Sequence, residues 1–346
     1  MRGLWLALLI LVGLAGHAQA REPERVEVRI LERRGLHELR LLAPAPHRLQ
    51  AVGNELLVDG RPSGTQRLAE DGFALRLDGR VRRYPGRLQA WAERGVLVLV
   101  NEAPLEDYVA GVVGAELPRP WPHEALKAQA VLARTLALRG GDHPGRRLCD
   151  LTHCEAYAGL ADAAAMRAAR ETHGLVLTYR GAVARPLFHS TCGGALASNQ
   201  VVFGGAAVPY LQEGRDAYCA ASPHAATWSV RVSPAEVAQA LGRDRVRTLE
   251  VSDRSAGGWV GAVRVDGDRM TGYRLWQALG RSIGWGALKS LNFQVHRDGA
   301  AFVFAGRGLG HGVGLCQWGA RGRAEAGWDF RRILAAYFPG AVVKRG

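Results

Sequence analysis

The periodicity of apolar residues changes near residue 100 of this chain. Before it, short segments alternate or run apolar between Gly and Pro turns, as in VEVRILE, ELRLLA, FALRLDG and VLVLV. This pattern predicts short β-strands. Between residues 124 and 139 alanine is dense, and small or apolar residues recur at helical spacing, which predicts a helix. We therefore expect an α+β fold: mixed, largely antiparallel sheets, Ala-rich helices lining a cleft, and a small N-terminal β region.

The rest of the chain contains further helical and hairpin patterns. DAAAMRAARETHG predicts a second Ala-rich helix over 161–174, and LVLTYR with AVARPLFHS predicts a hairpin. Residues 228–305 contain two helix patterns and a hairpin around Gly257-Gly258, and they predict a separable unit. A Gly-rich loop and two helices ending before Pro339 follow. The domain prediction is 1–20 as a signal peptide, 21–95 as the N-terminal β region, and 96–346 as the main domain with 228–305 inserted.

The first twenty residues, MRGLWLALLILVGLAGHAQA, contain one Arg, a long apolar run and the sequence Ala18-Gln19-Ala20. This arrangement is typical of a secretory signal with a small-x-small cleavage site. A membrane anchor is the alternative, but the apolar run is short for a span and no stop-transfer pattern follows. We expect an exported, periplasmic or extracytoplasmic protein without a stable membrane span after signal cleavage.

The formal net charge is +13, and it is carried mostly by scattered Arg residues. No block of basic residues and no aromatic-basic repeat is present, so we do not expect a nucleic-acid partner. A basic exported protein can meet other polyanions, and the carboxylates of a bacterial cell wall are one source.

Five cysteines could bind metal or form disulfides: Cys149, Cys154, Cys192, Cys219 and Cys316. His143, Cys149, His153 and Cys154 fall within twelve residues, and thiolates with imidazoles suit Zn²⁺. A Cys149–Cys154 disulfide is an equal alternative in an oxidising compartment. A pair between Cys192 and Cys219 would leave Cys316 over, because the count is odd.

Glu116 is a lone carboxylate just before the turn that contains Pro118 and Pro120. The helix that follows carries Lys127 and Arg134 on one face, since steps of three and seven residues nearly return to the same direction. This arrangement predicts either a catalytic acid with cations nearby or a turn acid paired with Arg134, together with a solvated charged face.

Two glycine-rich stretches are candidate binding elements. HSTCGG, 189–194, ends a predicted strand, and its Gly pair would let the backbone approach a ligand; a polar turn is the alternative. GRGLGHGVGLCQWGA, 306–320, is neither a dinucleotide fingerprint nor a Walker loop. It could form a cleft wall with His311 and Gln317 as hydrogen-bond donors, or a tight structural crossing.

These segments together resemble one family. LEDYVAGVVGAELP followed by WPHEALKAQAVLARTLAL is similar to the signature of the SpoIID/LytB family, the stage II sporulation protein D and amidase-enhancer group. HSTCGG with PYL, and the C-terminal GRGLGHGVGLCQWGARGRAEAG, match its two other blocks in the same order. The resemblance runs from about Leu105 to Val343. The third block departs from the pattern at Cys316, where a small or apolar residue would serve.

The resemblance implies a peptidoglycan lytic transglycosylase that cleaves the N-acetylmuramic acid-β-1,4-N-acetylglucosamine bond of peptide-stripped glycan strands. It assigns the catalytic glutamate to Glu116. It implies a structural zinc on His143, Cys149 and Cys154. A non-catalytic glycan-binding amidase enhancer, with a cell-wall amidase as partner, is the alternative, and a zinc-dependent hydrolase is a third hypothesis. The predicted substrate-binding residues are Lys127, Arg134, His189, Ser190, Tyr210, His311 and Gln317.

One carboxylate is enough for the implied reaction. Glycoside hydrolases normally use two carboxylates, one as an acid and one as a base or nucleophile. In a lytic transglycosylase the acid would protonate the leaving oxygen and then deprotonate the muramyl C6 hydroxyl. That hydroxyl closes on C1 and gives a 1,6-anhydro end. Both roles require a pKa near the working pH, which partial burial of Glu116 would favour.

Overall fold

A computed structural model describes residues 25–117, 120–140, 148–151, 154–224 and 227–346. The predicted signal peptide lies outside these ranges. No helix in the described part of the chain is both long and apolar enough to cross a membrane. The structure confirms the expected α+β class, with helices and mainly antiparallel sheets.

The N-terminal part forms two antiparallel sheets, as the alternating pattern predicted. In the strand Arg87–Glu93 every second side chain, at Leu88, Ala90 and Ala92, is buried, because successive side chains of a strand point to opposite faces. The strands are β1 (Arg25–Ile30), β2 (Glu38–Ala43), β3 (His47–Val52), β4 (Glu55–Val58), β5 (Arg61–Pro62), β6 (Gln66–Ala69), β7 (Phe73–Leu77), β8 (Arg80–Tyr84), β9 (Arg87–Glu93) and β10 (Val96–Pro104). One sheet has the order β5-β4-β3-β2-β7-β8, and the other contains β1-β10-β9-β6.

Three helices follow, with a short strand among them: α1 (Leu105–Glu116), α2 (His123–Arg139), β11 (Leu148–Cys149) and α3 (Ala163–Glu171). β11 pairs with β1 in parallel and completes a five-stranded sheet. The helix α2 starts one residue before its predicted position. Its small residues Ala130 and Ala133 pack into the N-terminal core, whereas Val131 and Leu132 pack into the C-terminal core. The helix α2 therefore joins the two halves.

The middle of the chain contains short strands and, over 228–305, the helices and hairpin that the sequence predicted. Ser233 caps α5 through a capping box with Glu236, and Thr271 caps α6, which explains why both helices begin there. The hairpin β18–β19 turns at Gly257-Gly258 as predicted. The elements are β12 (Leu175–Tyr179), β13 (Ala182–Val183), β14 (Phe188–His189), β15 (Ala195–Leu196), α4 (Asn199–Phe203), β16 (Gly214–Arg215), β17 (Thr227–Val232), α5 (Pro234–Leu241), β18 (Leu249–Arg254), β19 (Val260–Val265), β20 (Asp268–Thr271), α6 (Gly272–Ile283), β21 (Phe293–Asp298) and β22 (Ala301–Arg307).

The C-terminal segment returns to the helices of the first half. It consists of β23 (Leu315–Cys316), α7 (Gln317–Glu325), α8 (Phe330–Tyr337) and β24 (Val342–Arg345). The strand β23 pairs with β14 in parallel, and β24 pairs with β12. Because of the β14–β23 pairing, the HSTCGG stretch lies beside the start of α7.

Candidate active site

Glu116 is held between three segments that are far apart in the sequence. It is the last residue of α1, and the backbone becomes extended at Leu117. The backbone N–H of Ala156 donates to Glu116 Oε1 at 2.6 Å, and Gln317 Nε2 donates to Oε2 at 3.3 Å. The end of α1, the loop after Cys154 and the start of α7 therefore meet at one carboxyl group.

Burial raises the pKa of Glu116 above its usual range, while the hydrogen bonds from Ala156 and Gln317 favour the carboxylate and lower it. Burial is the larger effect, because moving the carboxylate out of water disfavours its charged form. The two donors remain in place when the proton leaves. The site can thus hold a proton at higher pH than an ordinary glutamate and can also stabilise the anion.

An aromatic surface lies next to this carboxyl group. The partly exposed rings of Trp121 and Trp318 meet edge to face, with centroids 5.5 Å apart. The Arg321 guanidinium stands 4.9 Å from the Trp318 ring centroid. Trp318 directly follows Gln317, so these rings border the Glu116 site and offer flat apolar surface to a ligand.

A groove of 730 Å³ lies close to the site. The backbone N–H of Trp318 donates to the backbone oxygen of Ser190 at 3.1 Å, and Ser190 is one of the groove residues. The volume lies within the range of small-molecule sites. None of the described residues that line it is acidic. Its aromatic and basic lining residues are Tyr273, Trp276, Trp285, Arg33, Arg281 and Lys289.

The other predicted substrate-binding residues divide between the groove, the Glu116 site and the interior. Ser190 and His311 line the groove, and Gln317 contacts Glu116. His189 and Tyr210 are buried instead. His189 Nδ1 bonds the Val313 carbonyl at 3.2 Å, and the Tyr210 hydroxyl accepts the Arg185 N–H at 2.8 Å.

The glycine-rich loop is also a tight crossing. Gly312 and Gly314 have φ of 82° and 73°. A Cβ at Gly312 would overlap the Trp259 ring, and one at Gly314 would overlap the Leu187 carbonyl. The stretch is thus a tight crossing that its glycines permit, and His311 lines the groove, while hydrogen bonding of His311 and Gln317 to a ligand stays a prediction.

The two predicted helix cations do not reach Glu116. Lys127 Nζ lies 2.5 Å from Glu124 and 5.0 Å from the Phe330 ring centroid. Arg134 is fully buried, at 0% exposure, and pairs with Glu106. The alternative that Glu116 pairs with Arg134 is therefore wrong. The acid that pairs with Arg134 is Glu106, in the first turn of α1.

Glu155 is a carboxylic acid near Glu116 that the sequence did not single out. It is 1% exposed, and the Tyr108 hydroxyl lies 3.4 Å from Oε2. Burial raises the pKa of Glu155 well above its usual range, and the charge of Glu116 raises it further. Both effects favour the protonated form of the Glu155 carboxyl group. In the sequence this residue was hidden in the Cys/His-rich stretch, which was interpreted only for metal ligands.

The predicted metal cluster is only partly within the described residues, because His143 lies outside them. Cys149 Sγ and Cys154 Sγ are 3.0 Å apart. Two thiols side by side are suitable donors for zinc. Glu155, which follows Cys154, connects this pair to the floor of the Glu116 site through Ala156.

The fold and site define an α+β protein in which a largely buried carboxyl group of raised pKa, at Glu116, lies close to aromatic and basic side chains. A family model described as Stage II sporulation protein matches residues 93–179. Stage II sporulation protein D of Bacillus subtilis is 30% identical over 268 residues, covering 70% of this chain and 75% of that protein. An uncharacterized protein of Brachyspira hyodysenteriae is 32% identical over 285 residues, which cover 79% of this chain and 74% of that protein.

The Amidase enhancer of Bacillus subtilis is 29% identical over 295 residues, which cover 67% of this chain and 40% of that protein. The chain belongs to the SpoIID/LytB family. This membership confirms the resemblance seen in the sequence motifs. It supports a cell-wall-related role for the protein.

Proposed function

We propose that the protein is an exported peptidoglycan lytic transglycosylase with Glu116 as its acid and base. The observation that carries this proposal is the Glu116 carboxyl group, whose pKa burial raises and which accepts hydrogen bonds from Ala156 and Gln317, while the neighbouring Glu155 side chain is buried. A pair of ionisable carboxylates would favour hydrolysis. One proton-exchanging carboxyl group instead favours attack by a hydroxyl group of the substrate itself.

The reaction needs two proton transfers at Glu116. The protonated carboxyl group gives its proton to the glycosidic oxygen as the bond from that oxygen to muramyl C1 breaks, and N-acetylglucosamine leaves with a free 4-hydroxyl. The carboxylate then takes the proton of the muramyl C6 hydroxyl, and O6 bonds to C1. The N–H groups of Ala156 and Gln317 stabilise the anion between these steps.

The groove suits a glycan stripped of its stem peptides. Without the peptide, each muramyl residue carries a free lactyl carboxylate. Arg33, Arg281 and Lys289 supply positive charge for such a group, and Trp276 and Trp285 supply flat apolar surface for the sugar rings. The Cys149 and Cys154 thiols, with His143, would hold a structural zinc ion beside the site.

The test is digestion of purified, peptide-stripped strands, with the products analysed by mass spectrometry. Products one water lighter than hydrolysis products, with 1,6-anhydro ends, are expected. Reducing ends would contradict the proposal and point to a hydrolase. Binding without cleavage, together with stimulation of a cell-wall amidase, would instead support the amidase-enhancer function, which the similarity to the Amidase enhancer of Bacillus subtilis makes the second candidate.

Changing Glu155 to glutamine tests whether the second carboxyl group takes part. Since burial favours the protonated, uncharged form of Glu155, the amide should replace it with cleavage within about threefold of wild type, far less than the 10²–10⁴-fold effect of a general acid or base. Rates on stripped strands at neutral pH measure this. A loss of a hundredfold or more in a folded variant would show that Glu155 has a catalytic role.

Replacing Gln317 with leucine should shift the pH profile of cleavage to higher pH. The Gln317 amide favours the Glu116 carboxylate, so its removal raises the pKa of Glu116 further. Cleavage that requires the protonated acid is lost as pH rises through that pKa, and its alkaline limb moves upward. Profiles of kcat/KM for both proteins measure the shift; an unchanged or lowered limb would contradict the assignment of this limb to Glu116. Gln277→Leu, a change in the groove, is the matched control.

A further inference from the structure

The other three cysteines meet behind the active site. Cys192 follows β14, Cys219 ends the turn Ala217–Cys219, and Cys316 precedes α7; all three are buried. Cys192 Sγ and Cys219 Sγ are 3.4 Å apart. The ligand atoms of Cys192, Cys316 and His189 all lie within 4.8 Å of one another. Three thiols and an imidazole therefore share one buried cluster.

Backbone donors are directed at one of these sulfur atoms. The N–H groups of Cys192 and Gly319 both donate to Cys316 Sγ, each at 3.3 Å. Hydrogen bonds of this kind favour a thiolate over a thiol. A thiolate at this buried position would require a compensating positive charge.

His189 has the arrangement of a metal-binding histidine. Its Nδ1 bonds the Val313 carbonyl at 3.2 Å, which places the proton on that nitrogen. Its Nε2 is buried and has no hydrogen-bond partner among the described residues. Histidine ligands usually donate their other N–H to a backbone carbonyl or carboxylate, which fixes the tautomer. The lone pair of Nε2 is thus available to a metal ion.

We propose that Cys192, Cys219, Cys316 and His189 bind one zinc ion. With zinc bonds of about 2.3 Å to sulfur and about 2.0 Å to nitrogen, the ligand atoms of a tetrahedral site lie roughly 3.5–3.8 Å apart. The Cys192–Cys219 separation of 3.4 Å is just below this range. The ligand atoms of His189, Cys192 and Cys316 lie within 4.8 Å of one another, which exceeds the range by only about 1 Å. This site uses none of the residues of the Cys149–Cys154 pair.

A Cys192–Cys219 disulfide accounts for less of the geometry. It would leave an uncharged Cys316 thiol as the acceptor of two N–H groups. It would also leave His189 Nε2 without a partner among the described residues. Arg323 is close to the cluster but is occupied: it donates to Asp216 Oδ1 at 2.7 Å, and Asp216 Oδ2, which lies 3.7 Å from Cys192 Sγ, accepts the Tyr337 hydroxyl at 2.6 Å. A zinc ion provides the positive charge and satisfies all four ligand atoms.

The ion would act by positioning. It would join the end of β14, the turn at Cys219 and the first residue of α7. Gln317 follows Cys316 directly and donates to Glu116. Fixing Cys316 would therefore fix the amide that contacts Glu116. The proposal concerns metal content and stands whether or not the protein cleaves glycans.

The test measures zinc in the exported, mature protein carrying Cys149→Ser and Cys154→Ser, purified without chelator. We expect about one zinc per chain by elemental analysis, and its loss when Cys316→Ser is added. Substituted cobalt should give the thiolate charge-transfer and visible bands of a tetrahedral site. Zinc that persists in the Cys316→Ser variant, or a zinc-free protein two hydrogens lighter than the reduced chain, would overturn the proposal.

Alkylation of the native wild-type protein gives an independent measurement if these variants do not fold. Cys192, Cys219 and Cys316 should resist iodoacetamide until a chelator is added, and then all three should react. Peptide mapping by mass spectrometry identifies them. A Cys192–Cys219 linked peptide, or modification that is unaffected by chelator, would contradict zinc binding.

Discussion

Replacing Glu116 with glutamine is expected to reduce cleavage of peptide-stripped glycan strands by about 10²–10⁴-fold, the usual contribution of a general acid or base. The amide keeps the size of the side chain. It cannot give a proton to the glycosidic oxygen, and it cannot take one from the C6 hydroxyl. The rate at which anhydro-ended products appear measures the effect. Cleavage that stays within tenfold of wild type would exclude Glu116 as the acid.

The same substitution should not destabilise the fold, which separates a catalytic loss from unfolding. The pKa of Glu116 is raised in the folded state, so the folded protein binds this proton more tightly than the unfolded chain does. The group therefore costs stability as pH rises from its unfolded pKa through its folded pKa. A neutral amide removes this cost. The Tm of Glu116→Gln should equal or exceed that of wild type at pH 8, while Glu55→Gln, on an exposed strand, should show no change in Tm or cleavage.

Residues that are adjacent in the sequence lie in different environments at this site, and the sequence alone could not predict this difference. The helix α2 and the hairpin at Gly257-Gly258 could be predicted, because local periodicity and turn chemistry determine them. His189 and Ser190 were predicted together as ligand contacts, yet one is buried and the other lines the groove. Successive side chains of a strand point to opposite faces, and only the pairing partner decides which face is inside.

The cysteine cluster could not be predicted from the sequence, because only the tertiary structure brings its residues together. Cys192 and Cys316 are 124 residues apart, and they meet because β14 and β23 pair in parallel. Cysteine counts cannot give connectivity, so the sequence suggested only that Cys316 was left over. Glu155 was missed for a related reason: its neighbour Glu116 is 39 residues away along the chain, and their proximity raises the pKa of Glu155 only in the folded protein.

Arg134→Met is expected to lower the free energy of unfolding by about 3–5 kcal/mol, as is typical when one partner of a buried ion pair is removed. The Arg134 side chain is fully buried and donates to both oxygens of Glu106. It also donates to the carbonyls of Ala169 and Leu175, at 3.1 Å each. This single guanidinium joins α1, α2, α3 and β12. Methionine fills part of the volume but satisfies none of these acceptors.

Lys127→Met on the same helix is the matched control for Arg134→Met. The Lys127 side chain retains 15% exposure, and its ion pair with Glu124 is near the surface, so its loss should cost about 1 kcal/mol or less. Urea unfolding of the two variants gives the comparison. Arg134→Lys should recover only part of the loss, because an ammonium group cannot reproduce the paired donation to Glu106. If Arg134→Met unfolded like wild type but lost glycan binding, Arg134 would instead be a substrate contact, as its position on the helix first predicted.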